Sequence, residues 1–244
     1  MKMAYATEVV GTYFLVLTVG LTSLAQSPFA PLAIGSSLMI MVYMGGHVSG
    51  AHYNPAVTVA VWMRGKLPTA DVVPYWIAQL LGAVLAALTV LYLTGKTFAP
   101  APGADVTWGR ALAVEAIFTF ALALVVLNSA TARQTEKNSF YGLAIGFTIV
   151  VAAFAGGGIS GGAFNPAVGV GPALIDTLMG HGTLANVWLY IVGPIAGGAI
   201  AALFFRAQNP EPESGSAIPS AAPGEERVVA GEYTAPRPGQ GDAR

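Results

Sequence analysis

The stretch "ISGGAFNPAVGVGPAL", residues 159–174, decides the fold. It runs through glycines to the triplet Asn-Pro-Ala at 165–167 and continues as a short apolar segment. An earlier stretch, "VSGAHYNPAVTVAVW" (48–62), carries the same triplet at 54–56, about 110 residues before. Two copies of the Asn-Pro-Ala triplet in one hydrophobic chain indicate an internal repeat.

The composition is that of a membrane protein. Of 244 residues, 55% are hydrophobic and 9% are charged, whereas a soluble domain has about 25% charged residues. The net charge of −1 offers no basic surface, so we predict no nucleic-acid partner. The chain has no cysteine and three scattered histidines, so we predict no cofactor, no metal centre, no thiol catalysis and no enzyme activity.

Six segments are long and apolar enough to cross a bilayer, which takes about 20 residues. Two further apolar stretches are too short to cross, and each begins at one of the triplets. The sequence therefore predicts an all-α polytopic protein with six transmembrane helices and two re-entrant half-helices. The predicted spans are 4–26, 30–49, 72–94, 108–130, 139–157 and 184–206, and the half-helices are 55–63 and 166–175.

The two halves of the chain begin alike. "YATEVVGTYF" (5–14) opens the first span and "LAVEAIFTFA" (112–121) opens the fourth, each with a lone glutamate followed four positions later by threonine. Because three spans separate the copies, the second half must be inverted in the membrane. We predict a channel domain over 1–207, with inverted repeats of about 1–96 and 105–207, a design that recurs in transport proteins.

The basic residues set the predicted orientation. Six of them fall on one side of the predicted membrane and two on the other, and basic residues favour the cytoplasmic side. Both termini are then cytoplasmic. Residues 208–244 are rich in Pro, Gly, Ser and Glu, which predicts a disordered cytoplasmic tail.

The triplets have a specific local chemistry. Asn suits the cap of a helix and Pro suits its first turn. The preceding segments, "GGHVSGAHY" (45–53) and "AGGGISGGAF" (155–164), allow an extended backbone whose carbonyls can face a water-filled cavity. Two inverted half-helices would point two positive dipole ends at one place, which repels cations. The pattern predicts a narrow pore for small neutral polar solutes.

These motifs, with "EVVGTYF", "PYWIAQLLGAVLAA" and "WLYIVGPIAGGAIAAL", resemble the aquaporin and glycerol-facilitator (major intrinsic protein) family over about 4–207. The resemblance implies an hourglass fold, a homotetramer in the lipid bilayer, and one passive pore per subunit. It also implies that Asn54 and Asn165 are the central donors. The carbonyls that it implies as acceptors belong to Gly50, Ala51, His52, Tyr53, Gly161, Gly162 and Ala163.

Glu8 and Glu115 have two interpretations. The family resemblance implies that they brace the loop backbones, and their symmetric placement favours this structural role. Carboxylates inside a membrane can also relay protons. His52, similarly, is either a packed loop residue or a pH-sensitive gate.

The chain departs from the family at one position. Most members carry Arg just after the second triplet, at their narrowest constriction, and this chain has Val168 there. Counting from the motifs places the other constriction residues at Ile34, Ala153 and Gly162. This small, apolar set predicts a wider constriction than that of a strict water pore, one that admits solutes of the glycerol, urea or ammonia class.

Two other functions remain open at this point. A secondary transporter also uses inverted repeats, but it needs an ion-coupling site, for which this chain offers only Glu8 and Glu115. The second is a purely structural protein with a closed pore.

The short loops between the spans favour a bacterial inner membrane as the location.

Overall fold

The computed structural model describes residues 2–210, and these fold as helices and loops without a strand. The predicted tail lies outside the described residues from 211 onward. The helices are α1 (Met3–Leu24), α2 (Ala30–Ser49), α3 (Pro55–Met63), α4 (Thr69–Thr94), α5 (Trp108–Val126), α6 (Tyr141–Ser160), α7 (Pro166–Leu178) and α8 (Val187–Gln208). A π-helical turn, Leu127–Thr131, extends α5.

Six of these helices are long and apolar enough to cross a membrane, which confirms the predicted spans within the described residues. Their outward faces expose large apolar side chains rather than charges, as a lipid-facing surface requires. Ile77, Ile117, Val151, Phe154 and Leu203 are each more than half exposed. The chain is an integral, multi-pass membrane protein.

The two short helices each reach into the other half. Helix α1 packs on α2 and α4, and α5 packs in the same way on α6 and α8. Helix α3 lies against α8, and α7 lies against α4. Glycines permit these crossings, since a Cβ on Gly198 would lie 2.6 Å from the carbonyl oxygen of Ala56.

The ends of α2 and α6 differ from expectation. The glycine-rich segments 45–53 and 155–164 were expected to be extended, but the helices run through their glycines to Ser49 and Ser160. Packing explains the difference at Gly45, where a Cβ would overlap the hydroxyl of Tyr53. Glycine there serves a close approach within a helix, and only Gly50–Asn54 and Gly161–Asn165 are non-helical, with several residues in the left-handed region.

Candidate functional site: a central pore

Each triplet begins a half-helix in the same way. Asn54 has extended backbone angles, and its Oδ1 accepts a hydrogen bond from the backbone N–H of Ala56 at 2.9 Å. Asn165 does the same for Ala167, also at 2.9 Å. Each asparagine is thus the N-cap of its helix, with proline at the first helical position, where no N–H is needed.

The remaining amide groups join the two halves. Asn54 donates from Nδ2 to the Phe164 carbonyl at 2.9 Å. Asn165 donates from Nδ2 to the Tyr53 carbonyl at 2.8 Å. This exchange brings the two helix N-termini together. Because an amide nitrogen carries two hydrogens, one N–H of each asparagine is left over.

The two non-helical segments before the asparagines are conformationally strained. Ala51, Tyr53 and Phe164 have φ of 50°, 49° and 49°, in the left-handed region that L residues other than glycine rarely adopt. Each such residue costs roughly 1–2 kcal/mol. Other contacts must therefore hold the loops in place.

Glu8 holds the first loop. It is fully buried, and its carboxylate accepts from the backbone N–H groups of His52 at 3.0 Å and Tyr53 at 2.7 Å. It also accepts from the Ser49 hydroxyl at 2.7 Å and from Gln79 Nε2 at 2.8 Å. Four donors satisfy the charge of this buried group.

Glu115 holds the second loop in a parallel arrangement. It is also fully buried, and it accepts from the N–H groups of Ala163 at 3.0 Å and Phe164 at 2.6 Å. The Ser160 hydroxyl donates to it at 2.7 Å. These contacts favour the structural role over the proton relay for both glutamates.

Sequence reasoning missed several partners of the loops. Tyr75 donates to the Ser49 carbonyl at 2.7 Å, and Tyr190 donates to the Ser160 carbonyl at 2.6 Å. A signal for this pair exists in the repeat, because "PYW" (74–76) and "LYI" (189–191) place a tyrosine near the start of the last helix of each half. Gln79 has no such counterpart, and no pattern could have identified it.

A narrow cavity of about 40 Å³ surrounds the meeting point of the loops. A water molecule needs about 10–15 Å³ of cavity volume, so this cavity has room for about three waters. Asn54, Asn165 and all four expected constriction residues line it, namely Ile34, Ala153, Gly162 and Val168. Ala51, His52, Tyr53 and Ala163 line it as well.

Two of the expected carbonyl residues lie elsewhere. Gly50 lines a wider vestibule of about 860 Å³ rather than the narrow cavity. Gly161 is not among the lining residues of either, and a Cβ there would lie 2.7 Å from backbone atoms of Ala101.

The vestibule has a mixed, charged wall that includes Lys66, Asp71, Arg133, Glu136 and Lys137. The Lys2 ammonium donates to Asp71 at 3.0 Å. This hydrogen bond raises the pKa of Lys2 above its ordinary value. Lys2, just before α1, is thereby linked to the start of α4.

The chain is similar to known channel proteins over nearly its whole described length. The Major intrinsic protein family matches residues 1–205. Aquaporin NIP1-1 of Zea mays is 38% identical over 200 residues, which are 78% of this chain and 69% of the maize protein. The probable aquaporin AqpM of Archaeoglobus fulgidus is 37% identical over 186 residues, 72% of this chain and 74% of that protein.

A solved structure shares the fold. The aquaglyceroporin from Plasmodium falciparum superimposes with a TM-score of 0.76 at 23% identity, covering 84% of this chain and 96% of that one. The sequence matches, the paired Asn-Pro-Ala caps and the cavity between them all point to one family. The chain belongs to the major intrinsic protein (aquaporin) family, and it is a passive channel for water and small solutes rather than an enzyme.

Proposed function

We propose that the channel conducts water together with small neutral solutes of the glycerol, urea or ammonia class. The observation that carries this proposal is the lining of the narrow cavity. Ile34, Ala153, Gly162 and Val168 surround it and bring no side-chain charge. A solute with a few heavy atoms meets neither a bulky ring nor a guanidinium at these positions.

In this proposal the solute passes between donors and acceptors. The free N–H groups of Asn54 and Asn165 donate to the solute oxygen. Carbonyls of the two loops accept from its hydrogens, and those of Ala51, His52, Gly162 and Ala163 belong to residues on the cavity wall. The Tyr53 carbonyl already accepts from Asn165, so it has less capacity for a solute.

Protons and other cations are excluded by the same arrangement. The N-termini of α3 and α7 both face the centre, and each carries about half a positive charge. An ion would also lose its hydration shell in a cavity for about three waters. Neutral solutes do not meet these barriers.

The test is stopped-flow swelling of proteoliposomes with water, glycerol, urea and ammonia. The wild-type protein is expected to pass all four, and the variant Val168→Arg is expected to lower glycerol and urea flux while water flux is retained. Val168→Ile, which adds one methylene without charge, is the matched control. A wild-type channel that passes water but rejects glycerol and urea would overturn the solute assignment.

A secondary transporter is the alternative, and the named relatives, all described as aquaporins, do not favour it. Flux that stays proportional to the solute gradient and ignores sodium or proton gradients supports the channel. Saturating, gradient-driven accumulation would support the transporter.

We also propose a homotetramer in a bacterial inner membrane with both termini cytoplasmic. The exposed apolar faces of the six spans supply the surface for both lipid and neighbouring subunits. Chemical cross-linking in native membranes should give a ladder ending at four subunits. A ladder that stops at the monomer would contradict the assembly.

A further inference from the structure

The linker between the two halves, residues 95–107 from α4 to α5, is attached near its beginning by a polar cluster. The Thr97 hydroxyl donates to Asp176 Oδ1 at 2.5 Å, and His181 Nδ1 lies 3.1 Å from the same hydroxyl oxygen. Because that hydroxyl has a single hydrogen and gives it to the carboxylate, the imidazole must donate to its oxygen. Two hydrogen bonds therefore join the linker to the end of α7.

The middle of the linker lies against the end of α6. The backbone N–H of Gly103 donates to the Ile159 carbonyl at 3.0 Å, which satisfies one of the carbonyls that the last turn of a helix leaves without a partner. A Cβ on Gly103 would lie 2.9 Å from the Gly158 carbonyl oxygen, so glycine permits this approach. Backbone atoms of Ala101 lie 2.7 Å from the place that a Cβ on Gly161 would occupy. The linker thus covers the beginning of the second loop.

This cover is one peptide bond away from the constriction. Gly161 has a φ of 91°, and the next residue, Gly162, lines the narrow cavity and has a φ of 67°. Glycine adopts many backbone conformations at similar energy, so two glycines in a row do not fix their own position. Contacts must fix it. The Ser160 hydroxyl accepts from the Gly162 N–H at 3.1 Å, and the linker supplies the contact at Gly161.

The first loop has no such cover among the described residues. Apart from the chain neighbours of Gly50, a Cβ there would meet only the His52 ring within 4 Å, and Gly50 lines the open vestibule. Gly161 has the same place in the second loop, but it contacts the linker and lines neither space. The repeat therefore supplies two equivalent loops, and the linker packs on the one that carries Gly162.

We propose that Thr97 and Asp176 are positioning residues for the constriction. Their hydrogen bond holds the linker against the second loop, and the linker fixes the backbone of Gly161 and Gly162 from the side away from the cavity. Release of the linker lets this backbone move away from the cavity, so the constriction widens and glycerol gains more than water does. The inference rests on the proposed function and deepens it, because it assigns part of the size selection to residues that line neither the cavity nor, for Thr97, the vestibule.

The test compares Thr97→Val, which keeps the shape of the side chain but removes its hydroxyl, with Thr97→Ser, which keeps the hydroxyl. Stopped-flow swelling gives the glycerol-to-water flux ratio, and thermal unfolding in detergent gives the stability of each variant. Thr97→Val is expected to raise the ratio by about fivefold, the factor that corresponds to one hydrogen bond. Thr97→Ser is expected to keep the wild-type ratio. The matched control is Thr107→Val, because Thr107 lies in the same linker and its side chain makes no capping hydrogen bond.

The outcomes separate the two proposals. Wild-type protein without glycerol flux above that of empty liposomes would overturn the proposed function. Wild-type glycerol flux with an unchanged or lowered ratio in Thr97→Val would overturn only the positioning role, even if the unfolding midpoint falls, because the cluster would then stabilise the fold alone. An equal rise in Thr97→Ser would overturn the role of the hydroxyl. If Thr97→Val elutes as an aggregate, Asp176→Ala carries the test with the same expected rise, and a wild-type ratio in that variant would overturn the inference.

Discussion

At the residue scale, the loops depend on two buried carboxylates. The symmetric positions of Glu8 and Glu115 favoured a role in bracing the loops. In the structure each carboxylate accepts from the two backbone N–H groups that precede its asparagine. The symmetry ends there, because Gln79 adds a fourth donor to Glu8 and Glu115 has no such partner. The pattern predicted the pair, but the difference depends on a residue about 70 positions away that no periodicity connects to Glu8.

We expect Glu8→Gln to destabilise the protein more than Glu115→Gln. An amide NH2 in place of a carboxylate oxygen faces a donor in both cases, and each donor left unsatisfied costs about 1–3 kcal/mol. Each oxygen of Glu8 accepts from two donors, so the glutamine amide leaves two donors without an acceptor. Oε2 of Glu115 accepts from Phe164 alone, so an amide with its NH2 at that place leaves one donor without an acceptor. The thermal unfolding midpoint in detergent measures the effect.

The matched control for both is Glu136→Gln, since Glu136 is exposed on the vestibule wall. Its unfolding midpoint should equal that of the wild type. An unchanged midpoint for Glu8→Gln would show that the loop does not depend on the carboxylate.

At the element scale, the helix positions followed from hydrophobic length and from the triplets. Their ends agree within three residues when the π-helical turn Leu127–Thr131 is counted with α5. The prediction of an extended backbone at the glycine-rich ends of α2 and α6 was wrong, because a sequence does not distinguish two uses of glycine. Gly50 and Gly161 have φ of 82° and 91° and end their helices. Gly45 and Gly156 stay helical and leave space for Tyr53 and Phe118, which only the packing reveals.

The crossing of α3 and α8 should be sensitive to one methyl group. In Gly198→Ala the new Cβ would lie 2.6 Å from the Ala56 carbonyl, a backbone atom that cannot move without shifting α3. Overpacking of this kind costs about 1–3 kcal/mol. The expected result is a lower unfolding midpoint together with reduced water flux, because α3 carries Asn54 at its start.

Gly158→Ala provides the opposite case within α6. No atom lies within 4 Å of a Cβ there, and Ala is favoured over Gly in a helix by about 1 kcal/mol. The midpoint should rise or stay the same. Equal destabilisation by both alanines would show that the close approach of α8 to α3 does not decide the effect.

At the scale of the whole molecule, each half supplies what the other lacks. Helices α3 and α7 pack against the last helix of the opposite half, and each asparagine donates to the opposite loop. The repeat predicted that the triplets would meet. It could not predict this exchange, because a pattern within each half carries no record of contacts between halves.

The absence of cysteine makes the orientation directly measurable. Lys96→Cys and Gln134→Cys lie at exposed positions separated by the single span α5, so they must face opposite sides. With both termini in the cytoplasm, an impermeant maleimide added to intact cells should label Cys at 96 and not at 134. The reverse labelling would place both termini outside.

The exchange of amide hydrogen bonds also determines when the pore can be completed during synthesis. Nδ2 of Asn54 needs a carbonyl 110 residues further along the chain, so a nascent protein that has inserted only its first half lacks that partner. Contacts so distant in sequence form late, because chain entropy must be lost first. A nascent chain that ends before Phe164 therefore cannot make the contact that brings the two half-helix N-termini together.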